Sequence, residues 1–171
     1  SISSQGLRGF MQRIMRYPVQ DKVFVLCMKG IEVETGKRLS EVLVESGVSH
    51  QSIAVWVGPG HIQSFVQGIP NCMVIDSVNE KLKVSLVEAF KSDLIRFYYG
   101  SDLLGTEIGA AAKNVMGIAA GVLDGVCVPL KGPLLSRGAG GVARLSKAMG
   151  GGRRSASAPA HLWRYEATPF S

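Results

Sequence analysis

Four short apolar runs separated by segments of helical spacing constrain this chain more than any other feature. Val23–Met28, Ile53–Val57 and Cys72–Ile75 are apolar at every position, and Ile95–Tyr99 closes the series before Gly100. Runs of strand length that are apolar throughout predict strands covered on both faces, as in a parallel sheet. Helical spacing fills the intervals. Leu7, Phe10, Met11, Ile14 and Met15 line one face over residues 5–16. Leu39, Val42 and Leu43 predict a short helix stopping near Gly47; Ile62, Phe65 and Val66 predict a turn or two; Leu82, Leu86, Val87 and Phe90 line another helix. This alternation predicts an α/β layer with a mostly parallel sheet.

After Gly100 the pattern changes. Residues 102–124 are rich in Ala, Gly and Leu at helical spacing, with no strand signal. Residues 133–149 read as a further helix through Leu134, Leu135, Val142, Leu145 and Met149. A domain boundary near residue 100 follows, with residues 1–100 forming the sheet layer and 101–171 the start of an all-α domain. The most apolar stretch, Val115–Leu130, is interrupted by Asp124 and is short for a bilayer span. It reads as a buried helix and loop, so no integral membrane segment is expected. Past Gly150 the text GGGRRSASAPA is loop-like, and the chain is expected to be disordered or degenerate there.

The formal charge of +6 is a local excess. Lys131, Arg137, Arg144, Lys147, Arg153, Arg154 and Arg164 fall in one window without an acidic residue. No nucleic-acid motif and no interleaved aromatics accompany them, so a solvated helix face and tail is the reading preferred over nucleic-acid binding. Cys27, Cys72 and Cys127 lie far apart, with no CxxC and no nearby His. That argues against a metal site and a disulfide framework, and fits a reducing, cytoplasmic compartment. Cys27 and Cys72 sit in apolar runs, where buried thiols are expected.

Chemistry is expected at the carboxyl ends of the strands, where open α/β sheets bind ligands. The first strand ends Met28-Lys29-Gly30 and the second ends Val57-Gly58-Pro59-Gly60. Lys29 can meet an anion there, Gly30 permits a sharp turn, and Gly58 and Gly60 let a ligand approach the backbone. Read alone, a Gly-Pro-Gly turn is structural and a strand-end lysine is solvated. Lys113 is the third feature. Gly109, Ala110, Gly117 and Gly121 share its helical face, leaving room for a partner to pack over it. A glycine within a helix costs about 1 kcal/mol against alanine, so several together need a reason. The plain alternative is a lysine snorkelling from a helix contact.

KGIE with TGKRLSEVL, VGPG with GIPNCMVIDS, GTEIGAAAKNVMGIAAGVLDG and LLSRG occur in order. In that order and spacing they resemble NAD(P)-dependent glycerol-3-phosphate dehydrogenases, the bacterial type most closely, over roughly residues 3–150. The resemblance implies the second half of a Rossmann-like cofactor domain over 1–100 and the start of a helical substrate domain over 101–171. It implies an oxidoreductase of glycerophospholipid and carbohydrate metabolism. Its reaction is reversible hydride transfer between NAD or NADP and a small phosphorylated substrate, interconverting dihydroxyacetone phosphate and sn-glycerol 3-phosphate. By motif match, Lys113 falls on the catalytic lysine, which donates and accepts the proton. Lys29 falls on a lysine that contacts substrate and cofactor. Gly58 falls on a substrate-contacting glycine, and Asn114 neighbours the substrate. A lysine used as a base at neutral pH needs burial and a second cation beside it, and Lys29 is the candidate for that cation. Family members are commonly dimers, so a homodimer is an expectation.

The sequence also departs from the family. No GxGxxG phosphate loop is present, so NADH and NADPH are not distinguished. Where the family has Gly-Pro-Ser-Phe-Ala, this chain has Gly58-Pro59-Gly60-His61-Ile62. Gly60 thus stands in for a substrate-contacting serine and Ile62 for a cofactor-contacting alanine. Arg164 occupies the place of a substrate-site aspartate, and the Ser-Arg-Asn phosphate motif is missing. A disturbed reading frame or degenerate copy after Gly150 is one expectation. The isolated 171 residues are expected to be inactive, with an exposed sheet edge. Two alternatives stand beside the enzyme: a non-catalytic remnant that binds a ligand or protein, and a two-domain dehydrogenase acting on a hydroxy acid.

Overall fold

A computed structural model describes residues 2–58 and 62–151. The chain runs α1 (Leu7–Ile14), β1 (Phe24–Leu26), α2 (Leu39–Glu45), β2 (Ile53–Val57), α3 (Ile62–Val66) and β3 (Asn71–Asp76). It continues through α4 (Glu80–Phe90), β4 (Ile95–Tyr99), α5 (Leu103–Gly125) and α6 (Lys131–Ala148). The four apolar runs become the four strands of one sheet in the order β1-β2-β3-β4. β1 pairs parallel with β2 and β3 parallel with β4, while β2 and β3 are antiparallel. The sheet is therefore mixed but mostly parallel, and long helices follow it.

Strand alternation assigns the two faces. Ile53, Val55 and Val57 of β2 face a core made with Leu7 and Met11 of α1, Leu39, Val42 and Leu43 of α2, and Leu103 and Ala110 of α5. Trp56 points to the other face, where it packs edge-on against Phe97 of β4 at 4.9 Å and against Phe90 of α4 at 5.2 Å between ring centroids. The sheet is thus covered by α1, α2 and α5 on one side and by α4 on the other. Asn79 starts α4 by accepting a hydrogen bond from the Leu82 amide at 3.2 Å.

Three expectations of burial are corrected. Phe24 and Val25 are only half buried, and Cys27 is exposed. Among the described residues β1 has β2 as its one strand partner, so it is an edge strand beside an open apolar trough that includes Ile2, Phe10, Phe24 and Met28. Cys72, on β3, is half buried. The stretch Val115–Leu130 is not buried either: Val115, Ile118, Val122, Val126 and Leu130 are all exposed. Only the first two turns of α5 lie on the sheet, where Leu103 through Ala110 are mostly buried. Beyond them α5 packs on α6, and a Cβ at Gly138 of α6 would run into Met116.

Leu43 is fully buried between α1, α2 and β2. Leu43→Ala is expected to lower the stability by about 2–5 kcal/mol, read as a drop in the urea midpoint with an unchanged slope.

Candidate functional site

The antiparallel pairing of β2 with β3 sets the polarity of the site. The carboxyl ends of β1 and β2 lie together at one end of the sheet, and the carboxyl end of β3 lies at the other. Lys29 and Gly58 follow β1 and β2, so both come to the first end. There the Lys29 Nζ donates to the Gly58 carbonyl at 3.3 Å. Lys29, Gly30, Val55, Val57, Glu107 and Ala110 line one small internal space. Lys113, half buried, lies one turn beyond Ala110 on α5. Asn114 is the exposed residue after it. Gly60 and Arg164 lie outside the described residues, and so does the side chain of Ile62, the first residue of α3.

Two glycines have identifiable reasons. Gly30 has φ +144°, a conformation L side chains rarely adopt, and a Cβ there would also meet the Ser4 hydroxyl at 2.9 Å. This is the sharp turn after Lys29. At Gly58 a Cβ would lie 2.5 Å from the Met73 sulfur and 2.9 Å from the Cys72 carbonyl. The neighbouring strand, rather than an approaching ligand, is what excludes a side chain at Gly58.

The loop after Lys29 is fastened by charge. Arg8 of α1 grips Glu32 with two parallel bonds, Nε to Oε1 at 2.8 Å and Nη2 to Oε2 at 2.7 Å. Arg8 also reaches Glu45 of α2 at 3.0 Å. Gln5 donates to the Ile31 carbonyl and accepts from the Val33 amide, both at 2.9 Å. The Arg8 guanidinium first, and the Thr35 hydroxyl second, hold the Glu32 carboxyl at about 2, well below the usual carboxylate range. The KGIE motif is thus Lys29 followed by its own clamp.

Sequence reasoning missed two carboxylates that hold α5. Glu107, buried, accepts from Arg38 Nη1 at 2.6 Å, from the Ser40 hydroxyl at 2.6 Å and from the Ser40 amide at 2.9 Å. Asp76, at the end of β3, accepts from the Thr106 hydroxyl at 2.7 Å, and Lys83 stands 3.8 Å away. Burial pushes the Asp76 carboxyl up; the bond from Thr106 and the charge of Lys83 pull it down. The available signal was a carboxylate set in an otherwise apolar segment, as in CMVID and GTEIGAAA. Among the described residues, no three His, Cys, Asp or Glu side chains converge as metal ligands would. No helix there is long and apolar enough to cross a membrane.

The class defined here is an α/β layer built on a mixed, mostly parallel sheet, with Lys29 at the carboxyl ends of β1 and β2, followed by long helices of which the first carries Lys113. Residues 1–83 match the model of the NAD-dependent glycerol-3-phosphate dehydrogenase N-terminus, and residues 102–162 match that of the C-terminus. The chain belongs to the NAD-dependent glycerol-3-phosphate dehydrogenase family. It is 35% identical over 155 residues to an NAD(P)+ glycerol-3-phosphate dehydrogenase of Chlorobium limicola, covering 88% of this chain and 46% of that protein. A Clostridium tetani enzyme of the same description is 31% identical over 157 residues, covering 91% and 45%. The fold also matches the crystal structure of a Coxiella burnetii glycerol-3-phosphate dehydrogenase, with TM-score 0.79, 22% identity, and 90% and 47% of the two chains covered. The Saccharomyces cerevisiae enzyme superposes with TM-score 0.78 at 17% identity, covering 99% and 53%. The chain spans about half the length of the curated relatives it matches.

The clamp on the Lys29 loop has a pH signature. Because the Glu32 carboxyl is depressed in the folded protein, its stabilisation is present above about pH 4.5 and is lost as the pH falls toward about 2. The urea midpoint is expected to fall more steeply across that window in the parent protein than in Glu32→Gln. Parallel curves would show that the clamp carries no folding energy.

Proposed function

We propose that this chain is the middle portion of an oxidoreductase that interconverts dihydroxyacetone phosphate and sn-glycerol 3-phosphate. Residues 1–100 contribute the second half of its NAD(P)-binding domain, and 101–171 begin its substrate domain. The observation that carries the reading is the delivery of α5 to the carboxyl ends of β1 and β2. Ala110 shares the space lined by Lys29 and Gly30, with Lys113 one turn on. The lysine of the Ala112-Lys113-Asn114 motif thus follows, along α5, a residue that lines the space beside Lys29, whose Nζ bonds the Gly58 carbonyl, and this supports the reading.

The residues present suit an anionic ligand. Lys29 brings a positive charge to the strand ends, and the Gly30 turn with the Arg8–Glu32 clamp holds it there. In this proposal Lys29 and the start of α3 at Ile62 meet the cofactor, which supplies a hydride when bound. Lys29, Gly58, Gly60, Lys113 and Asn114 meet the substrate. Hydride addition to a ketone leaves negative charge on its oxygen. The Lys113 ammonium stabilises that oxygen and gives it a proton; in the reverse direction the neutral amine takes the proton back. NAD and NADP both suit these residues. A cytoplasmic location and a homodimer belong to the same proposal on the strength of the family resemblance alone.

The test uses these residues joined in frame to the flanking portions of the Chlorobium limicola relative. The chimera is expected to oxidise NADH or NADPH with dihydroxyacetone phosphate and not with small oxo acids. Lys113→Ala is expected to lower kcat by about a hundred- to ten-thousandfold while the circular dichroism spectrum is unchanged. Turnover that survives Lys113→Ala would remove this lysine from the chemistry.

A further inference from the structure

Two neighbouring residues near the start of α5 are tied to different elements. Thr106 donates from its hydroxyl to Asp76 of β3 at 2.7 Å. Glu107 receives the Ser40 hydroxyl at 2.6 Å and the Ser40 amide at 2.9 Å from α2, with Arg38 beside them at 2.6 Å. Thr106, Glu107, Asp76 and Ser40 are all buried. Consecutive helical residues point about 100° apart, so the two ties grip α5 from two directions. Sliding or turning the helix breaks at least one of them and takes a hydrogen-bond donor from a buried carboxylate, which is costly.

The first tie is aligned with the lysine. Seven residues are nearly two whole helical turns, so Thr106 and Lys113 point within about 20° of each other, roughly 10 Å apart along the axis. Ala110 lies between them on the same stripe and is buried against the sheet. The sheet end of α5 is held at Thr106, and the lysine projects from the far end of the same stripe. Beyond Ala110 the helix leaves the sheet and exposes Val115 and Ile118, so its direction there is set by the part that is held.

We propose that Thr106 and Glu107 are positioning residues: their ties to Asp76 and to Ser40 with Arg38 set the rotation and height of α5, and so the place of the Lys113 amine. This deepens the functional reading and rests on Lys113 being the residue that meets the substrate. Misplacing a reacting group by about an ångström costs on the order of a hundredfold in rate, which is what a double tie guards against.

The experiment measures the amine rather than turnover. The 171-residue protein is labelled with trace acetic anhydride between pH 7 and 11, and the rates at Lys113 and at exposed Lys22 and Lys81 are read by peptide mass spectrometry. Thr106→Val keeps the shape and removes the hydroxyl; Thr106→Ser keeps the hydroxyl. In Thr106→Val the Lys113 rate is expected to change by about threefold or more, because the amine leaves its present surroundings. Lys22 and Lys81 are expected to hold still, and Thr106→Ser to restore the parent profile. An unchanged Lys113, a common shift of all three lysines, or no rescue by serine would each overturn the proposal. Should Thr106→Val fail to fold, Glu107→Gln is judged by the same criteria. Labelling needs no hydride transfer, so its result stands apart from that of Lys113→Ala in the chimera.

Discussion

The Asp76 carboxylate is the interaction on which the junction between sheet and helices depends. It is 1% exposed, and a buried charge is tolerated only where donors surround it. The Thr106 hydroxyl, the Ser77 amide and the Asp102 amide all donate to it. Lys83 of α4 sets its charge alongside and gives a hydrogen bond to the Gly100 carbonyl at 2.8 Å. Four parts of the chain therefore meet at one side chain: the end of β3, α4, the turn at residues 100–102 and the first turn of α5. The turn has to be bare at Gly100, because any side chain there would run into the Asp76 carboxylate.

The reversal between β2 and β3 gives that junction its geometrical meaning. β3 runs back toward the start of β2: Asp76 pairs with Val55 at the middle of that strand, and the next residue, Ser77, donates from its hydroxyl to the Ile53 carbonyl. The knot at Asp76 and the Lys29–Gly58 pair therefore lie toward opposite ends of β2. α5 lies along the sheet between them, entering at the knot with Thr106 and meeting the Lys29 end at Ala110. One end of the sheet holds the helix, and the other receives what the helix carries.

The elements that local pattern alone determines were legible in the sequence. Ile53–Val57 and Ile95–Tyr99 are strands over those same residues, and the helical faces at Leu39, Val42, Leu43 and Leu82 are where spacing put them. The motif lysines could be placed at a strand end and within a helix. What escaped depends on partners distant in sequence. Glu107 meets Ser40 across 67 residues and Asp76 meets Thr106 across 30, and no periodicity reports such pairs. The orientation of β3 against β2 was likewise hidden, since an apolar run reads the same in either direction. Burial was overestimated at Phe24, Cys27 and Val115 because hydropathy records what a residue prefers, whereas exposure depends on which neighbour is present. The reason for Gly58 also lay outside the local text: the contact that forbids a side chain there comes from Cys72 and Met73.

Trp56 gives the sheet a property of a different kind. Its ring lies half buried between Phe97 on β4 and Phe90 at the end of α4, whereas Val55 and Val57 on the opposite face of the same strand are each 2% exposed. An indole so placed emits according to how closely those two rings enclose it. With the chain's other tryptophan removed by Trp163→Phe, its fluorescence is an internal optical gauge of whether α4 and β4 are seated on the sheet, and it sits on the face away from α5. Events at the lysine helix and events in the layer beneath it are thereby spectroscopically separable in one molecule.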